Sequence, residues 1–192
     1  MSARLIIMGP QGSGKGTQAA LLAARIGVPA ISTGDIFRAN VKGGTERGLR
    51  AKVIMDAGDL VPDEITNAMV RDRLAEPDAA GGFILDGYPR TADQVGALDK
   101  LLADSGATLD AVVELTAPLD DLMVRLHKRA GVEGRDDDTE EAITRRLAIY
   151  VDQTAPLTHA YAARGLLVTA NGIGEVDEVT ERVLEALATH IG

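Results

Sequence analysis

A glycine-rich segment directly after the first apolar run constrains the fold more than any other feature of this chain. Residues 5–8 read Leu-Ile-Ile-Met, and residues 9–17 read Gly-Pro-Gln-Gly-Ser-Gly-Lys-Gly-Thr, with four residues between Gly9 and Gly14. A buried strand that turns through glycines into a helix points backbone N–H groups and the positive end of the helix dipole at an anion, and a lysine adds its charge. The spacing therefore predicts a phosphate-binding loop between a strand and a helix.

One position of this loop departs from the common pattern. Gly16 stands where a serine or threonine usually contacts magnesium, and Thr17 follows it. The departure favours a nucleoside monophosphate kinase over a GTPase or a motor ATPase. The alternative is a glycine-rich turn with an incidental lysine, but the strand before the loop and the helix after it count against that interpretation.

Length and composition exclude several classes of protein. A chain of 192 residues, of which 45% are apolar and 26% charged, fits one globular domain with a full hydrophobic core. The net charge of −9 argues against broad nucleic-acid binding. No apolar run reaches the roughly 18 to 20 residues that a membrane span requires, and no signal-peptide pattern is present, so we expect a cytoplasmic protein. Without cysteines there is no disulfide and no thiolate zinc site.

Apolar runs alternate with helical patterns along the whole chain. The runs predict five strands, at residues 4–8, 29–32, 82–86, 111–115 and 166–169. The segments between them predict helices at residues 17–26, 36–41, 45–57, from 62 onward, 91–102, 119–129, 139–163 and 176–191. We expect Asp35 to cap the second helix and Pro156 to bend the longest one. Buried strands separated by helices indicate an α/β fold of the P-loop NTPase type, with a five-stranded parallel sheet between two layers of helices.

In such a sheet, ligands bind beyond the carboxyl ends of the strands, so the loops after the five strands should meet in one crevice. Asp86 ends a buried strand beside the phosphate-binding loop, where a carboxylate can hold magnesium through water. The acidic triplet at residues 136–138 is a second conceivable metal site. Asp138 and Glu141 have the spacing of a capping box, which favours a helix cap instead.

Four segments together resemble the adenylate kinase family, and the match extends across essentially the whole chain. They are the phosphate-binding loop, residues 31–38 (Ile-Ser-Thr-Gly-Asp-Ile-Phe-Arg), residues 58–63 (Gly-Asp-Leu-Val-Pro-Asp) and residues 86–90 (Asp-Gly-Tyr-Pro-Arg). The resemblance implies an ATP:AMP phosphotransferase that reversibly moves the terminal phosphoryl group of Mg·ATP to AMP, giving two ADP. It implies Mg²⁺ as the cofactor and nucleotides as the partners.

The resemblance also implies which residues hold each nucleotide. The ATP side comprises the phosphate loop, two arginines of one helix and a turn after the last strand: Gly12, Ser13, Gly14, Lys15, Gly16, Thr17, Arg125, Arg129 and Gly172. The AMP side comprises Thr33, Arg38, Asp59, Leu60, Val61, Gly87, Tyr88, Pro89, Arg90, Gln94, Arg135 and Arg146. The implied catalytic cations are Lys15, Arg90, Arg125, Arg129, Arg135 and Arg146, with Asp86 on the metal through water.

The resemblance divides the single kinase domain, residues 1–192, into a core, an NMP-binding segment at 32–61 and a lid at 128–138. Only five residues separate Arg129 from Arg135, too few for a hairpin domain, so the lid resembles the short form of the family. A zinc-stapled lid is excluded because the chain has no cysteine. We expect both mobile parts to close on ligand.

Elementary chemistry agrees with these roles. Phosphoryl transfer needs alignment and charge neutralisation, and arginine forks bind phosphate oxygens bidentately. The accepting phosphate oxygen is already ionised at neutral pH, so no general base is needed. Because the whole site lies within one chain, we expect a monomer.

Three other functions compete. A uridylate or cytidylate kinase would share the fold, but Thr33 and Gln94 favour AMP by resemblance, since pyrimidine-specific relatives tend to carry alanine and asparagine there. A nucleotide-dependent switch or assembly factor would need either a guanine-reading Asn-Lys-x-Asp, which is absent, or an oligomer-facing apolar patch, which the sequence does not identify. A small-metabolite kinase would share the phosphate loop but is not expected to carry residues 58–62 together with Gln94.

Overall fold

Five parallel strands form one sheet in the order β2-β3-β1-β4-β5, as given by a computed structural model. The strands are β1 (Arg4–Met8), β2 (Ala30–Ser32), β3 (Phe83–Asp86), β4 (Ala111–Thr116) and β5 (Leu167–Asn171). The structure describes residues 3–133 and 139–191, without the side chains of residues 127–133. Each strand lies where an apolar run predicts one, and the predicted α/β fold with its parallel sheet is confirmed.

Helices connect successive strands and flank the sheet. They are α1 (Lys15–Ile26), α2 (Thr33–Lys42), α3 (Glu46–Asp56), α4 (Asp63–Leu74), α5 (Ala92–Asp104), α6 (Leu119–Glu133), α7 (Glu140–Ile149), α8 (Ala155–Ala163) and α9 (Val176–Leu187). Two short turns add to them, a 3₁₀ turn at Pro77–Ala79 and a π-helical turn at Tyr150–Thr154. None of the helices within the described residues is long and apolar enough to cross a bilayer.

Hydrophobic side chains cover both faces of the sheet. Alternate residues of β1 divide between the faces, with Leu5 and Ile7 in one core cluster and Ile6 and Met8 in the other. Helices α1 and α9 complete the first cluster through Leu22, Ile26, Val179, Val183 and Leu187. Helices α4, α5 and α8 complete the second through Val70, Leu98, Leu102, Leu157 and Tyr161. The central strands β1, β3 and β4 are thus buried on both sides, which explains their largely apolar sequence, whereas the edge strands β2 and β5 carry exposed residues.

A third, smaller cluster lies apart from the sheet. It consists of Phe37 of α2, Ala51 of α3, Val61, and Met69 of α4. The segment 32–61 therefore has a hydrophobic centre of its own, packed on α4, while the main core belongs to the sheet.

The start of α2 differs from the prediction. The helix begins at Thr33, directly after β2, and Ser32 is its N-cap: the Ser32 hydroxyl accepts a hydrogen bond from the Asp35 backbone N–H at 3.3 Å. The prediction that Asp35 caps the helix was wrong. Because the strand passes into the helix without a loop, the capping position falls on the last strand residue, whose backbone is extended.

The long helix predicted at 139–163 is divided into α7, the π-helical turn and α8. The interruption precedes Pro156, which lies in the first turn of α8. Proline is tolerated there because the N–H groups of the first turn need no partner within the helix. At the other end, Thr139 caps α7 by accepting from the Ala142 N–H at 3.2 Å. The predicted cap at Asp138 was therefore wrong by one residue, and Asp138 itself lies outside the described residues.

Candidate active site

A cleft of about 580 Å³ opens beyond the carboxyl ends of β1, β2 and β3. Predicted site residues that line it are Gly12, Gly14, Lys15, Gly16, Thr17, Thr33, Arg38, Asp59, Leu60, Val61, Asp86, Gly87, Tyr88, Pro89, Arg90, Gln94, Arg125 and Arg146. Ser13 and Gly172 are buried beside this cleft rather than on its wall. The side chain of Arg129 and all of Arg135 lie outside the described residues, as do the other side chains of the predicted lid and all of residues 134–138.

The phosphate-binding loop is held in shape by its neighbours. A Cβ atom on Gly9 would lie 2.5 Å from the carbonyl oxygen of Leu115, so the loop leaves β1 in direct contact with the end of β4. Gly14 is the N-cap of α1 in the left-handed conformation, which favours glycine. The Nζ of Lys15, the first residue of α1, donates to the Pro10 carbonyl at 3.0 Å. The loop thus curls around the helix N-terminus, the geometry that binds phosphate.

Two residues predicted for the ATP side, Arg125 and Gly172, meet beside this loop. The guanidinium of Arg125 on α6 donates to the Gly172 carbonyl at 3.1 Å, and the Gly172 N–H donates to the Thr116 carbonyl at 2.8 Å. A Cβ atom on Gly172 would lie 2.9 Å from the Ser13 carbonyl oxygen, so only glycine allows this approach. The turn after β5 is therefore fixed directly against the phosphate-binding loop.

Asp86 stands at the end of β3, in register with Ile7 of β1 and Ser32 of β2. Its Oδ2 lies 3.4 Å from the position that a Cβ atom on Gly16 would occupy. Within the described residues there is no group of three or more acidic or histidine side chains that could hold a metal alone. One carboxylate beside a phosphate-binding loop nevertheless fits Mg²⁺, which usually keeps several waters and binds one or two carboxylates together with substrate phosphates.

On the other side of the cleft, Thr33 and Arg38 project from α2. The Thr33 hydroxyl is 4% exposed and donates to the Gly87 carbonyl at 2.9 Å, which ties α2 to the loop after β3. The Arg38 guanidinium bonds the Asp35 carboxylate at 2.6 Å and lies over Gly34, where a Cβ atom would come within 3.0 Å of it. Glycine at position 34 thus leaves room for this cation at the cleft.

Arg90 is fixed at several points of its backbone and side chain. Its N–H donates to the Gln94 side-chain oxygen at 2.7 Å, and its Nε donates to the Gly87 carbonyl at 2.8 Å. Burial lowers the pKa of the Arg90 guanidinium, Asp86 acts in the opposite direction, and Arg146 and Arg38 lower the pKa further. A buried cation beside two others is attractive to an anion, because a phosphate would relieve the repulsion among them.

Gln94 has neighbours that the sequence interpretation did not include. Its side-chain amide donates to Asp63 at 2.7 Å, while Asp63 also accepts from the Thr91 hydroxyl at 2.8 Å. The Tyr88 hydroxyl, in turn, donates to Asn67 at 2.7 Å, and burial together with Asp63 raises the pKa of Tyr88. Gln94 is 2% exposed and lines the cleft, so this network fixes the orientation of its amide there.

Helix α7 holds the segment around Asp59, which is predicted to lie on the AMP side. Arg146 donates to the Met55 carbonyl at 2.9 Å, and Arg145 bonds the Asp59 carboxylate. Gly58 packs so closely on α7 that a Cβ atom there would lie 2.8 Å from the Ala142 carbonyl oxygen. Residues 55–59 are thus attached to the same helix that carries a predicted phosphate-binding arginine.

Sequence reasoning missed several residues of this site. Asp63 belongs to a segment that the resemblance includes, but no role was assigned to it. Arg145 and Thr154 were missed altogether. The only signal for Thr154 in the sequence is its place two residues before Pro156, where a long helical pattern must be interrupted.

The cations of the cleft converge from different parts of the fold. Lys15 comes from α1, Arg38 from α2, Arg90 from the loop after β3, Arg125 from α6 and Arg146 from α7. In a protein of net charge −9, such a concentration of positive charge beside a phosphate-binding loop is the mark of a site for polyanions. Fold and site together define a protein of the P-loop class, with cations on both sides of one cleft beyond the carboxyl ends of the strands.

Comparison with known proteins gives the family. A family model described as adenylate kinase matches residues 7–166. The adenylate kinase of Nocardioides sp. is 60% identical over 184 residues, which cover 96% of each chain. The adenylate kinase of Bifidobacterium longum is 58% identical over 96% of this chain and 99% of its own. The adenylate kinase of Thermobifida fusca is 55% identical over 96% of this chain and 97% of its own. The chain belongs to the adenylate kinase family, which confirms the predicted enzyme class, an ATP:AMP phosphotransferase.

Proposed function

We propose that this protein reversibly transfers the terminal phosphoryl group of Mg·ATP to AMP, giving two ADP. The observation that carries this proposal is the convergence of Lys15, Arg38, Arg90, Arg125 and Arg146 on one cleft. Family membership supplies the pair of nucleotides. In the cell, such a reaction serves purine nucleotide salvage and the balance among ATP, ADP and AMP.

We assign the two sides of the cleft to the two nucleotides. ATP lies along the phosphate-binding loop, with its base toward Arg125 and Gly172, whose contact supports a shared role. AMP lies between α2 and residues 58–61, with its phosphate between Arg38 and Arg90 and its base at Gln94. The hydrogen bond from the Arg90 N–H to the Gln94 side chain supports their placement on one ligand.

The residues act by alignment and charge neutralisation. Lys15, Arg90 and Arg146 would bring the two phosphate groups into line and offset the charge that spreads over the transferred group. Since the acceptor oxygen is already ionised, no side chain has to remove a proton. Mg²⁺ bound near Asp86, through water, would neutralise charge on the ATP phosphates. Arg129 and Arg135 belong to the same proposal through the resemblance alone.

Two segments are proposed to close over the substrates. The separate hydrophobic cluster of Phe37, Ala51, Val61 and Met69 supports treating residues 32–61 as an NMP-binding segment distinct from the core. Residues 128–138 are proposed as a short lid without zinc. Because one chain supplies both sides of the cleft, we propose a monomer, and we place the enzyme in the cytoplasm, where its nucleotides are used.

The test is to supply Mg·ATP with each nucleoside monophosphate in turn and to identify the diphosphates formed. The proposal expects ADP from AMP at a kcat/KM far above that for UMP, CMP or GMP. Equal or faster reaction with UMP or CMP would replace it with a pyrimidine nucleotide kinase. No transfer to any monophosphate would overturn it.

A further inference from the structure

Thr154 makes a hydrogen bond that links a distant part of the chain to the cleft. It is the last residue of the π-helical turn, and its hydroxyl donates to the main-chain carbonyl of Arg90 at 2.9 Å, across 64 positions in sequence. Thr154 is 6% exposed and lines the cleft. Its hydroxyl is therefore buried against the main chain of Arg90, one of the residues on which the proposed transfer depends.

The π-helical turn explains how Thr154 reaches this position. Its backbone hydrogen bond runs from the Ala155 N–H to the Tyr150 carbonyl, one residue further apart than in an α-helix. The extra residue rotates the following side chains about the helix axis relative to a continuous α-helix. Turns of this kind are rare and frequently lie at functional sites. The interruption of α7–α8 is thus associated with a specific contact to the site.

The other hydrogen bonds of Arg90 within the described residues come from nearby in sequence. Gly87 and Gln94 lie three and four residues away and belong to the same loop and the helix after it. The loop is also attached to α2 by the Thr33–Gly87 bond and to α4 by the Tyr88–Asn67 bond. Thr154 adds an attachment at the main chain of Arg90 itself, because α8 packs through Leu157 and Tyr161 into the core cluster on that face of the sheet.

Arg90 needs such an attachment because its surroundings disfavour its charge. The guanidinium is desolvated and has Arg38 and Arg146 as neighbouring cations. Repulsion of this kind favours movement toward solvent unless the main chain is fixed. A hydrogen bond to the Arg90 carbonyl opposes that movement without adding a negative charge that would compete with a phosphate.

We propose that Thr154 is a positioning residue, which fixes the main chain of Arg90 and so aligns its guanidinium on the phosphoryl group being transferred. This inference rests on the proposed function, in which Arg90 contacts that group. A displacement of about 1 Å in such a residue can lower a rate by about 10², so a single buried hydroxyl that bonds only the main chain of Arg90 can control kcat.

The experiment compares Thr154→Val, which keeps the shape and removes the hydroxyl, with Thr154→Ser, which keeps the hydroxyl. Thr158→Val is the matched control: Thr158 is also buried on α8, and its hydroxyl donates to the Ala155 carbonyl at 2.7 Å, away from the cleft. For each variant, kcat, the KM values for ATP and AMP, and the Tm are measured. Arg90→Lys is measured beside them.

We expect Thr154→Val to lower kcat by about tenfold or more, with each KM changed by less than about threefold. Thr154→Ser, which keeps the hydroxyl, should have a kcat within about threefold of that of the original enzyme. Thr158→Val should also keep kcat within about threefold, although it lowers the Tm by about as much as Thr154→Val does. If Thr154→Val has the kcat of Thr158→Val, or Thr154→Ser is as slow as Thr154→Val, the inference is overturned. If Arg90→Lys keeps the full kcat of the original enzyme, the proposed role of Arg90 is wrong, and so is the role of Thr154 that depends on it. If Arg90→Lys is slow while Thr154→Val is not, only the proposed role of Thr154 is wrong.

Discussion

Arg146 donates a hydrogen bond to the main-chain carbonyl of Met55, at 2.9 Å and across 91 positions in sequence. This contact joins α7 to the end of α3. It thereby connects a cation of the cleft to the segment that leads into residues 58–61, beside which AMP is proposed to bind. Because the same guanidinium also lines the cleft, a phosphate bound there and the carbonyl of Met55 would share one cation. We therefore expect acceptor binding and the position of residues 55–59 to be coupled through α7.

The ion pair between Arg145 and Asp59 provides a test of that coupling. We expect Asp59→Asn and Arg145→Gln each to raise the KM for AMP by no more than about fivefold, because exposed ion pairs are weak, and to leave the KM for ATP unchanged. The difference from the original enzyme should shrink as salt is added. Steady-state kinetics at low and high ionic strength measure both effects.

The charge-reversed double variant, Asp59→Arg with Arg145→Asp, is the control for this pair. It should recover most of the lost AMP affinity, since the pair is restored with opposite polarity. Single variants that alter the KM for ATP as much as that for AMP would show that the contact acts on the whole fold.

Lys15→Met should abolish phosphoryl transfer and leave the fold intact. The ammonium lies at the N-terminus of α1 in the cleft, where it would meet the terminal phosphates of ATP, while methionine keeps most of the apolar stem. Turnover and Tm are the measurements, and Lys100→Met, an exposed lysine on α5, is the control. Near-normal turnover of Lys15→Met would refute the assignment of the phosphate-binding loop.

Arg146→Ala should lower kcat by at least about 10³, the lower end of the effect of an arginine that stabilises charge in phosphoryl transfer. Its bond to Met55 predicts a second effect, a rise in the KM for AMP. Arg71→Ala, which removes an exposed arginine of α4, serves as the comparison. A kcat within tenfold of the original would remove Arg146 from the proposed mechanism.

Thr33→Ala combined with Gln94→Asn should weaken the preference for AMP over UMP. The shorter asparagine cannot reach both Asp63 and the Arg90 N–H, so we also expect a lower kcat with every acceptor. The ratio of kcat/KM for AMP to that for UMP separates the two effects. Thr91→Ala, which also loses a bond to Asp63 but removes no group that lines the cleft, is the control. An unchanged ratio in the double variant would show that the base is read elsewhere.

The fold could be predicted from the sequence because the three central strands, β1, β3 and β4, are buried on both faces and therefore appear as largely apolar runs. The position of the cleft followed from the same fact, since the carboxyl ends of parallel strands meet at one edge. The first residue of α2 was harder to predict, because both Ser32 and Asp35 are good capping residues. Only the direct passage from strand to helix decides between them.

The contacts that shape the site could not be predicted from local sequence. Arg125 meets Gly172 across 47 positions, and Thr154 meets Arg90 across 64. Such pairs depend on the three-dimensional packing of helices on the sheet, which has no periodic signal in the chain. The role of Gln94 came from the family resemblance alone, and its dependence on Asp63 became visible only in the structure.

Binding of a single molecule that carries two adenosines joined by five phosphates would decide whether the cleft accommodates donor and acceptor together. Calorimetry should give one such molecule per chain, bound in competition with both ATP and AMP, and hydrogen exchange should slow in residues 55–61 and around Gly172 at the same time. Displacement of only one nucleotide, with exchange unchanged on the other side of the cleft, would contradict a site that holds the two phosphate groups in line.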